Sequence, residues 1–229
     1  MHPALVNTRL VICDLDGTLV NSLPDLSAAL DSAFLDAGLP MPGHDKAKRW
    51  VGNGMRMLVT RALLDANVIA PDDHSDETRA LVDRHFELFN QAYQERLCVA
   101  SRLYPGVEEF LVGIKDRGMT LALITNKTGV FVPPILNALG ISDCFSRVLG
   151  GDALPTKKPD PAPLAHVAEG LGLTPRETLM VGDSRNDVLA GKAFGARTLA
   201  VSYGYNHGEP ISACQPDWIV DNLAAVLDD

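Results

Sequence analysis

Two carboxylates, Asp14 and Asp16, stand one residue apart directly after an apolar run in VICDLDGTLVNS, residues 11–22. Side chains two residues apart on a strand point to the same side, so both carboxylates face one cleft unless the chain turns at Gly17. Two anions this close repel each other. The arrangement becomes favourable if a divalent cation sits between them or if one carboxyl group stays protonated.

The type and order of these two residues suit phosphoryl chemistry. A carboxylate is already nucleophilic at neutral pH, so Asp14 can attack a phosphoryl group and form an aspartyl-phosphate. Asp16 is then placed to protonate the leaving oxygen and later to activate water. A DxD pair alone is also compatible with a turn, a helix cap or the metal site of a glycosyltransferase.

The elements around the pair predict an α/β protein. From Pro105 onward short apolar runs alternate with helical patterns, which is typical of βαβ units on a parallel sheet. Helices are predicted over 106–117, after 128, after 160 and from 185. Strands are predicted over 9–14 and in MTLALIT (119–125), SRVLGG, TLMVGD (178–183) and ARTLAVS.

A helical insert interrupts this pattern after the first strand. Residues 24–98 carry apolar residues three and four apart, which predicts helices over 24–37, 44–51, 53–66 and 75–97. Leu81, Phe86, Phe89 and Tyr93 are predicted to lie in the core of that bundle. We therefore predict a Rossmann-like parallel-sheet core, residues 1–20 and 101–229, with an inserted helical cap domain, residues 21–100, and crossings near 17–22 and 99–105.

Further polar residues follow the other predicted strands. Parallel sheets bind ligands at the carboxyl ends of their strands. Thr125 and Asn126 end the LALIT strand, and Asp183 ends the TLMVG strand. Asp187 comes four residues after Asp183, and Lys158 lies on the Pro-rich loop KKPDPAP between these strands. These residues are candidates for the same cleft as the two aspartates.

Four segments, DLDGTLVNS, ITN, KKPDPAP and VGDSRND, in this order and at these separations, resemble the signatures of the haloacid dehalogenase superfamily of phosphohydrolases. The resemblance spans nearly the whole chain and implies the haloacid dehalogenase fold. It also implies that Mg²⁺, which prefers oxygen ligands, is held by the Asp14 side chain, the Asp16 backbone carbonyl and the Asp183 side chain. More narrowly, RWVGNGMRMLVTRAL in the insert looks like the cap of phosphoglycolate phosphatases.

The remaining motif residues are expected to bind the phosphoryl group. Thr125 offers a hydroxyl and Asn126 a backbone N–H at the start of a helix, where phosphoryl oxygens would lie. Lys158 would neutralise charge between nucleophile and phosphate. Asp187 has two interpretations: it completes a helix capping box with Ser184, or it binds the metal or orients the metal's water or Lys158.

Substrate specificity is expected to come from the insert, because the core contacts only the phosphoryl group. The glycines of VGNG allow close backbone approach, and Asn53 and Arg56 could meet a carboxylate; an ordinary helix connector with a surface arginine is the alternative. The leading prediction is a Mg²⁺-dependent phosphatase that hydrolyses a small acidic ester such as 2-phosphoglycolate.

Other functions compete with this prediction. A sugar-phosphate phosphatase or a phosphomutase would keep the same core. A phosphonoacetaldehyde-type hydrolase would use a cap lysine, Lys46 or Lys48, as a Schiff base. A dehalogenase would not need the metal constellation, and a binding module without turnover would not need every catalytic position filled.

The amino-acid composition indicates which classes of partner and which cellular compartment to expect. A formal charge of −9 and a pI near 5.1 disfavour a nucleic-acid binder, which needs a basic surface. The four cysteines are scattered without metal-ligand spacing, which indicates a reducing compartment such as the cytoplasm. The N-terminal sequence indicates neither secretion nor membrane insertion. We expect a small phosphorylated metabolite as the ligand, no nucleic acid or membrane partner, and a monomer or homodimer.

Overall fold

A parallel sheet lies at the centre of the molecule. The structure is a computed structural model that describes residues 2–206 and 208–228; Met1, His207 and Asp229, which belong to the predicted core domain, lie outside the described residues. In chain order the strands are β1 Leu10–Cys13, β2 Val20–Asn21, β3 Arg102–Leu103, β4 Thr120–Ile124, β5 Arg147–Leu149, β6 Thr178–Gly182, β7 Arg197–Val201 and β8 Trp218–Val220.

Six of the described strands form the central sheet in the order β5-β4-β1-β6-β7-β8, and every neighbouring pair is parallel. The first strand therefore lies between β4 and β6, so the three strands that precede the predicted motifs are neighbours. The α/β class and the parallel sheet predicted from the alternating pattern are confirmed. Strands β2, β3 and β8, of two or three residues each, were not predicted.

Eight α-helices accompany the described strands. They are α1 Leu23–Asp36, α2 His44–Trp50, α3 Met55–Asp65, α4 Asp76–Glu95, α5 Val107–Asp116, α6 Val132–Ala138, α7 Ala162–Gly170 and α8 Arg185–Phe194. Within the described residues no helix is long and apolar enough to cross a membrane.

The helices cover both faces of the sheet, which is why β1 and β6 are apolar and buried throughout. On one face Val11 and Cys13 of β1 pack in the same cluster as residues of α5 and α6. On the other face Leu10 and Ile12 pack with residues of α7 and α8. Cys13 is fully buried in this packing.

Helices α1 to α4 form the insert between β2 and β3, and its main internal contact is α1 against α4. Phe34 of α1 and Phe89 of α4 are both almost completely buried. Of the residues predicted to form the core of this bundle, Phe89 and Tyr93 are buried in the main hydrophobic cluster, and Leu81 and Phe86 are partly buried against that cluster.

The two crossings between core and insert are joined to each other. Strands β2 and β3 pair antiparallel, with Val20 opposite Leu103. The buried Asp25 side chain, in the first turn of α1, accepts hydrogen bonds from the backbone N–H of Ala100 at 2.8 Å and of Ser101 at 2.8 Å. It also accepts one from the Ser101 hydroxyl at 2.6 Å. The insert is thus anchored at both of its ends.

Candidate active site

A pocket opens at the carboxyl ends of β1, β4 and β6, between the sheet and the insert. From the sheet side it is lined by the loops that follow these strands and by the Lys158 loop. The lining residues include Asp14, Asp16, Thr125, Asn126, Lys127, Lys158, Asp183 and Asp187 from this side, and Val51, Gly52, Asn53, Gly54, Met55 and Leu58 from the insert. The structure therefore brings together every core residue singled out from the sequence.

Asp14 and Asp16 lie on the turn that follows β1. Gly17 has φ +89°, a conformation that side chains rarely adopt, and a Cβ there would lie 2.3 Å from Oδ2 of Asp183. Glycine at this position therefore lets the turn approach the Asp183 carboxylate. The fourth motif, which contains Asp183, is thus packed directly on the first.

The Asp14 carboxylate is buried, and its charge is only partly compensated. Lys158 Nζ lies 2.9 Å from Oδ1 of Asp14. This contact is an ion pair without hydrogen-bond geometry, and Oδ1 has no hydrogen-bond partner among the described groups. Burial raises the pKa of Asp14 to about 6; Lys158 opposes the shift and Asp187 adds to it. A further positive charge near Asp14 would therefore stabilise its anionic form.

Asp183 is pinned by two hydrogen bonds from the core. Its Oδ1 accepts from the Thr18 hydroxyl at 2.9 Å, and its Oδ2 accepts from the Tyr205 backbone N–H at 2.7 Å. Burial, together with the neighbouring charges of Asp187 and Asp14, raises the pKa of Asp183 well above its usual value. The side chain is held in place in an environment that disfavours its charge.

Three carboxylates converge in the pocket. Asp14, Asp183 and Asp187 each offer one oxygen atom, and these atoms all lie within 4.8 Å of one another. Repulsion between them, and the unpartnered oxygen of Asp14, are what a hard divalent cation would relieve. The donor set fits Mg²⁺, which takes carboxylate and carbonyl oxygens.

Lys158 and Asp187 connect Asp14 to helix α8. Lys158 Nζ donates to the Ile124 carbonyl at 2.6 Å and to Oδ1 of Asp187 at 2.7 Å. Burial opposes the charge on Lys158, but Asp14 and Asp187 outweigh it and raise the pKa of Lys158. Oδ2 of Asp187 accepts from the backbone N–H and the hydroxyl of Ser184, so Asp187 also completes a capping box. In this structure Asp187 both caps α8 and binds Lys158, which combines the two sequence interpretations.

Thr125 and Asn126 lie where β4 ends. The Thr125 side chain is buried and accepts a hydrogen bond from the Lys127 backbone N–H at 3.2 Å. The Asn126 side-chain amide donates to the Lys158 carbonyl at 2.8 Å and so ties the Lys158 loop to this strand. Their predicted contacts with a phosphoryl group stay predictions.

Lys127 is a pocket residue that the sequence analysis missed. Its Nζ lies 3.2 and 3.1 Å from Oδ1 and Oδ2 of Asp16, and 4.7 Å from the centroid of the Tyr93 ring on α4. Burial disfavours its charge, but Asp16 outweighs burial and raises the pKa of Lys127. The available signal was a cation immediately after the Thr125-Asn126 motif. Tyr93, predicted only to pack within the insert, supplies the aromatic face of this contact.

The insert reaches the pocket through the loop between α2 and α3. Gly52, Asn53 and Gly54 have φ of +119°, +63° and +93°. Oδ1 of Asn53 accepts a hydrogen bond from the side-chain amide of Asn186 at 2.6 Å, and the Asn53 carbonyl accepts one from Lys157 Nζ at 2.9 Å. The loop is thus bonded to the core at the edge of the pocket.

Arg56 does not line this pocket. Its side chain is half exposed, pairs with Oδ1 of Asp83 at 2.5 Å and lies over the Phe86 ring, because the first turn of α3 directs the side chain towards α4.

The two lysines of the insert that a Schiff-base mechanism would use also lie outside this pocket. Lys46 pairs with Asp65 on the surface of the insert, 2.7 Å away. Lys48 is exposed and is also absent from the pocket lining.

Comparison with known proteins gives concordant matches. A model of the haloacid dehalogenase-like hydrolase family matches residues 11–201. The chain is 47% identical over 220 residues to a phosphoglycolate phosphatase of Vibrio vulnificus, covering 96% of this chain and 95% of that protein. It is 46% identical over 221 residues to one of Pseudomonas putida, covering 96% of this chain and 78% of that protein.

A solved structure agrees with these sequence matches. The crystal structure of a protein described as a predicted phosphoglycolate phosphatase from Haemophilus somnus superposes with a TM-score of 0.89 at 42% identity. The match covers 96% of this chain and 97% of that one. The shared structure therefore extends over nearly the whole of both chains.

Proposed function

This chain belongs to the haloacid dehalogenase-like hydrolase family, and from that membership and its site we propose that it hydrolyses 2-phosphoglycolate to glycolate and phosphate through an aspartyl-phosphate on Asp14. The resemblance inferred from the four sequence motifs is confirmed, and the protein is a phosphoric monoester hydrolase. The observation that carries the proposed mechanism is the convergence of Asp14, Asp16, Lys158 and Asp183 in one pocket.

In the proposed first step a carboxylate oxygen of Asp14 attacks phosphorus while the ester P–O bond breaks. The leaving oxygen takes a proton from Asp16, which becomes a carboxylate. Water then attacks the phosphorus of the aspartyl-phosphate and gives a proton back to Asp16. The acyl-phosphate P–O bond breaks, and Asp14 is released with inorganic phosphate.

Other core residues would hold the phosphoryl group during both steps. Lys158 is buried beside Asp14, where its charge offsets the charge of the transferring group. The Thr125 hydroxyl and the Asn126 backbone N–H would bind phosphoryl oxygens at the end of β4. Asp187 orients Lys158 through their 2.7 Å contact.

Mg²⁺ is part of the proposal because the donor set fits it. The Asp14 and Asp183 side chains and the Asp16 backbone carbonyl would hold the ion. When bound, Mg²⁺ supplies positive charge that polarises the phosphoryl group and offsets the buried carboxylates.

The substrate assignment rests on the similar proteins and on the position of the insert loop. Relatives 46% and 47% identical over nearly the whole chain are named for phosphoglycolate. The insert loop at Asn53 is bonded directly onto the core at the edge of the pocket, which favours a small leaving group. Asn53 stays a candidate for substrate contact, and Arg56 is left out because it points towards Asp83.

The proposal also covers the cellular compartment of the protein and the class of its ligand. A small phosphorylated metabolite is the proposed ligand. Cys13, Cys98, Cys144 and Cys214 are free thiols, which is consistent with the proposed reducing, cytoplasmic compartment.

The test is phosphate release from a panel of small esters, with and without Mg²⁺, for the wild type and Asp14→Asn. We expect 2-phosphoglycolate to give the highest kcat/KM, with no turnover when Mg²⁺ is chelated or Asp14 is replaced. A preference for sugar phosphates would overturn the substrate. Phosphoryl transfer to a second sugar position without release would indicate a phosphomutase, and retained Mg²⁺-dependent activity in Asp14→Asn would overturn the mechanism.

A further inference from the structure

We propose that Lys127 binds the carboxylate of the leaving group and so makes the site selective for acidic phosphate esters. This inference rests on the proposed function, because it takes Asp14 and Asp16 as the groups that act on the ester. Lys127 lies outside the sequence motifs, and no step of the mechanism above uses it.

The contacts of Lys127 leave it able to bind an anion. Its side chain is 0% exposed, yet it lines the pocket. A lysine ammonium has three N–H donors and no acceptor. Two donors suffice for the two Asp16 oxygens. The ammonium also lies beside the Tyr93 ring, which attracts a cation, but the Tyr93 hydroxyl has no hydrogen-bond partner, so the third donor is not taken by a hydrogen bond among the described groups.

The position of Lys127 relative to Asp16 suits a short leaving group. When Asp16 protonates the ester oxygen, that oxygen lies within hydrogen-bond distance of Asp16, about 2.6–3.2 Å. In 2-phosphoglycolate a single methylene separates this oxygen from the carboxylate. The carboxylate is therefore held beside Asp16, within reach of an ammonium that contacts both Asp16 oxygens.

Charge also favours this assignment. An ionised Asp16 would repel a substrate carboxylate held next to it, and Lys127 offsets that repulsion because it faces both groups. A neutral leaving group gains less from the ammonium, because its oxygen accepts a hydrogen bond without the attraction between opposite charges. The pair Lys127 and Asp16 would thus distinguish acidic esters from neutral ones of the same size.

The other lysines near the pocket, Lys158 and Lys157, make contacts away from Asp16. Lys158 donates to Asp187 and to the Ile124 carbonyl and pairs with Asp14, the proposed nucleophile, so its charge faces the phosphoryl group rather than the leaving group. Lys157 is exposed and donates to the Asn53 carbonyl. Among the described residues, Lys127 is the cation on the Asp16 side of the pocket.

The test compares two substrates of nearly the same size and shape, 2-phosphoglycolate, whose leaving group is charged, and its neutral amide, 2-phosphoglycolamide. The measured quantity is the ratio of kcat/KM for acid over amide. We expect this ratio to be well above one for the wild type and to fall by about 10- to 100-fold in Lys127→Met, the range expected for a hydrogen bond to a charged group. Lys127→Arg, which keeps the charge, should retain a higher ratio than Lys127→Met.

Lys115→Met is the matched control, since Lys115 is exposed on α5 and donates to the Asp143 carbonyl; its ratio should equal that of the wild type. If Lys127 only positions Asp16, Lys127→Met lowers kcat/KM for acid and amide together and the ratio stays constant, which overturns the inference. Lys127→Gln, which keeps a neutral donor, replaces Lys127→Met if circular dichroism shows the latter to be unfolded.

The outcomes separate this inference from the proposed function. A wild type that hydrolyses 2-phosphoglycolate without preferring acid over amide overturns the inference and keeps the function. A wild type that prefers another carboxylated ester overturns the proposed substrate. The same ratio, measured with that ester and its amide, then supports or overturns the role of Lys127.

Discussion

Lys158 and Asp187 form a buried ion pair, with Nζ 2.7 Å from Oδ1 and side chains only 1% and 2% exposed. The other Asp187 oxygen accepts two hydrogen bonds from Ser184, so the first turn of α8 sets the position of the pair. Buried charges are tolerated where their geometry is good and further hydrogen bonds satisfy them, as here. The consequence is a positive charge fixed 2.9 Å from Asp14.

Replacement of Lys158 should therefore cost far more activity than replacement of its neighbour. We expect Lys158→Ala to lower kcat by about 100- to 1000-fold, the loss typical of one electrostatic contact to a transferring group. Lys157→Ala should lower it much less, because Lys157 is exposed and contacts only the insert loop. Steady-state phosphate release from one ester, with circular dichroism of both variants, measures this. Equal losses in the two variants would contradict the role given to Lys158.

The metal-free protein should lose stability as pH rises from about 4 to about 6. Burial raises the pKa of Asp14 from 3.8 to about 6, so in this interval the folded state keeps a proton that the unfolded chain has released. The free energy of unfolding then falls with increasing pH, by up to about 3 kcal/mol for two pKa units. Urea denaturation in the presence of a chelator measures it.

Asp14→Asn is the control for this pH dependence, because asparagine does not titrate. Its stability should fall less steeply between pH 4 and 6, with a residual slope from Asp183, whose pKa is also raised. At pH 7 Mg²⁺ should raise the Tm of the wild type by binding the folded state, and should raise that of the variant less. Identical slopes in the two proteins would show that Asp14 does not carry the effect.

The hydrogen bonds of Asp25, which anchor the insert to the core, should contribute to the stability of the protein. Asp25→Ala leaves the buried N–H and hydroxyl of Ser101 without their acceptor, so we expect a loss of about 2–4 kcal/mol in the free energy of unfolding. Ser101→Ala removes one of the three hydrogen bonds and should cost about 1 kcal/mol. Urea denaturation compares them, and an Asp25→Ala cost no larger than that of Ser101→Ala would refute this anchoring role.

The core of the site was predictable from the sequence because its residues directly follow the strands that carry them. Asp14, Thr125 and Asp183 each come after an apolar run, and parallel strands end at one edge of the sheet. Once the runs were assigned to neighbouring strands, convergence of these side chains followed. The helices of the insert were predictable for the same kind of reason, since their apolar spacing is regular.

What the sequence did not reveal depends on how separate elements pack. Tyr93 has the spacing of a core residue of α4, and periodicity does not tell which part of a helix meets Lys127, 34 positions along the chain. Arg56 lies next to the pocket loop in sequence, but the packing of α3 on α4 offers it Asp83 instead. Strands β2 and β3, of two residues each, are too short to show a period of two.

The contact between Asn53 and Asn186 should help hold the insert over the bound substrate. Asn53 has φ +63°, so Asn53→Gly removes the side chain without straining the backbone, and Asn186→Ala removes the other partner. We expect each variant to raise KM about two- to tenfold, the range for one neutral hydrogen bond, with a smaller change in kcat. Since both variants delete the same contact, the double variant should raise KM no further than either single one. Additive effects on KM in this double-mutant cycle would mean that the two residues act separately, and that their 2.6 Å contact does not hold the loop in place.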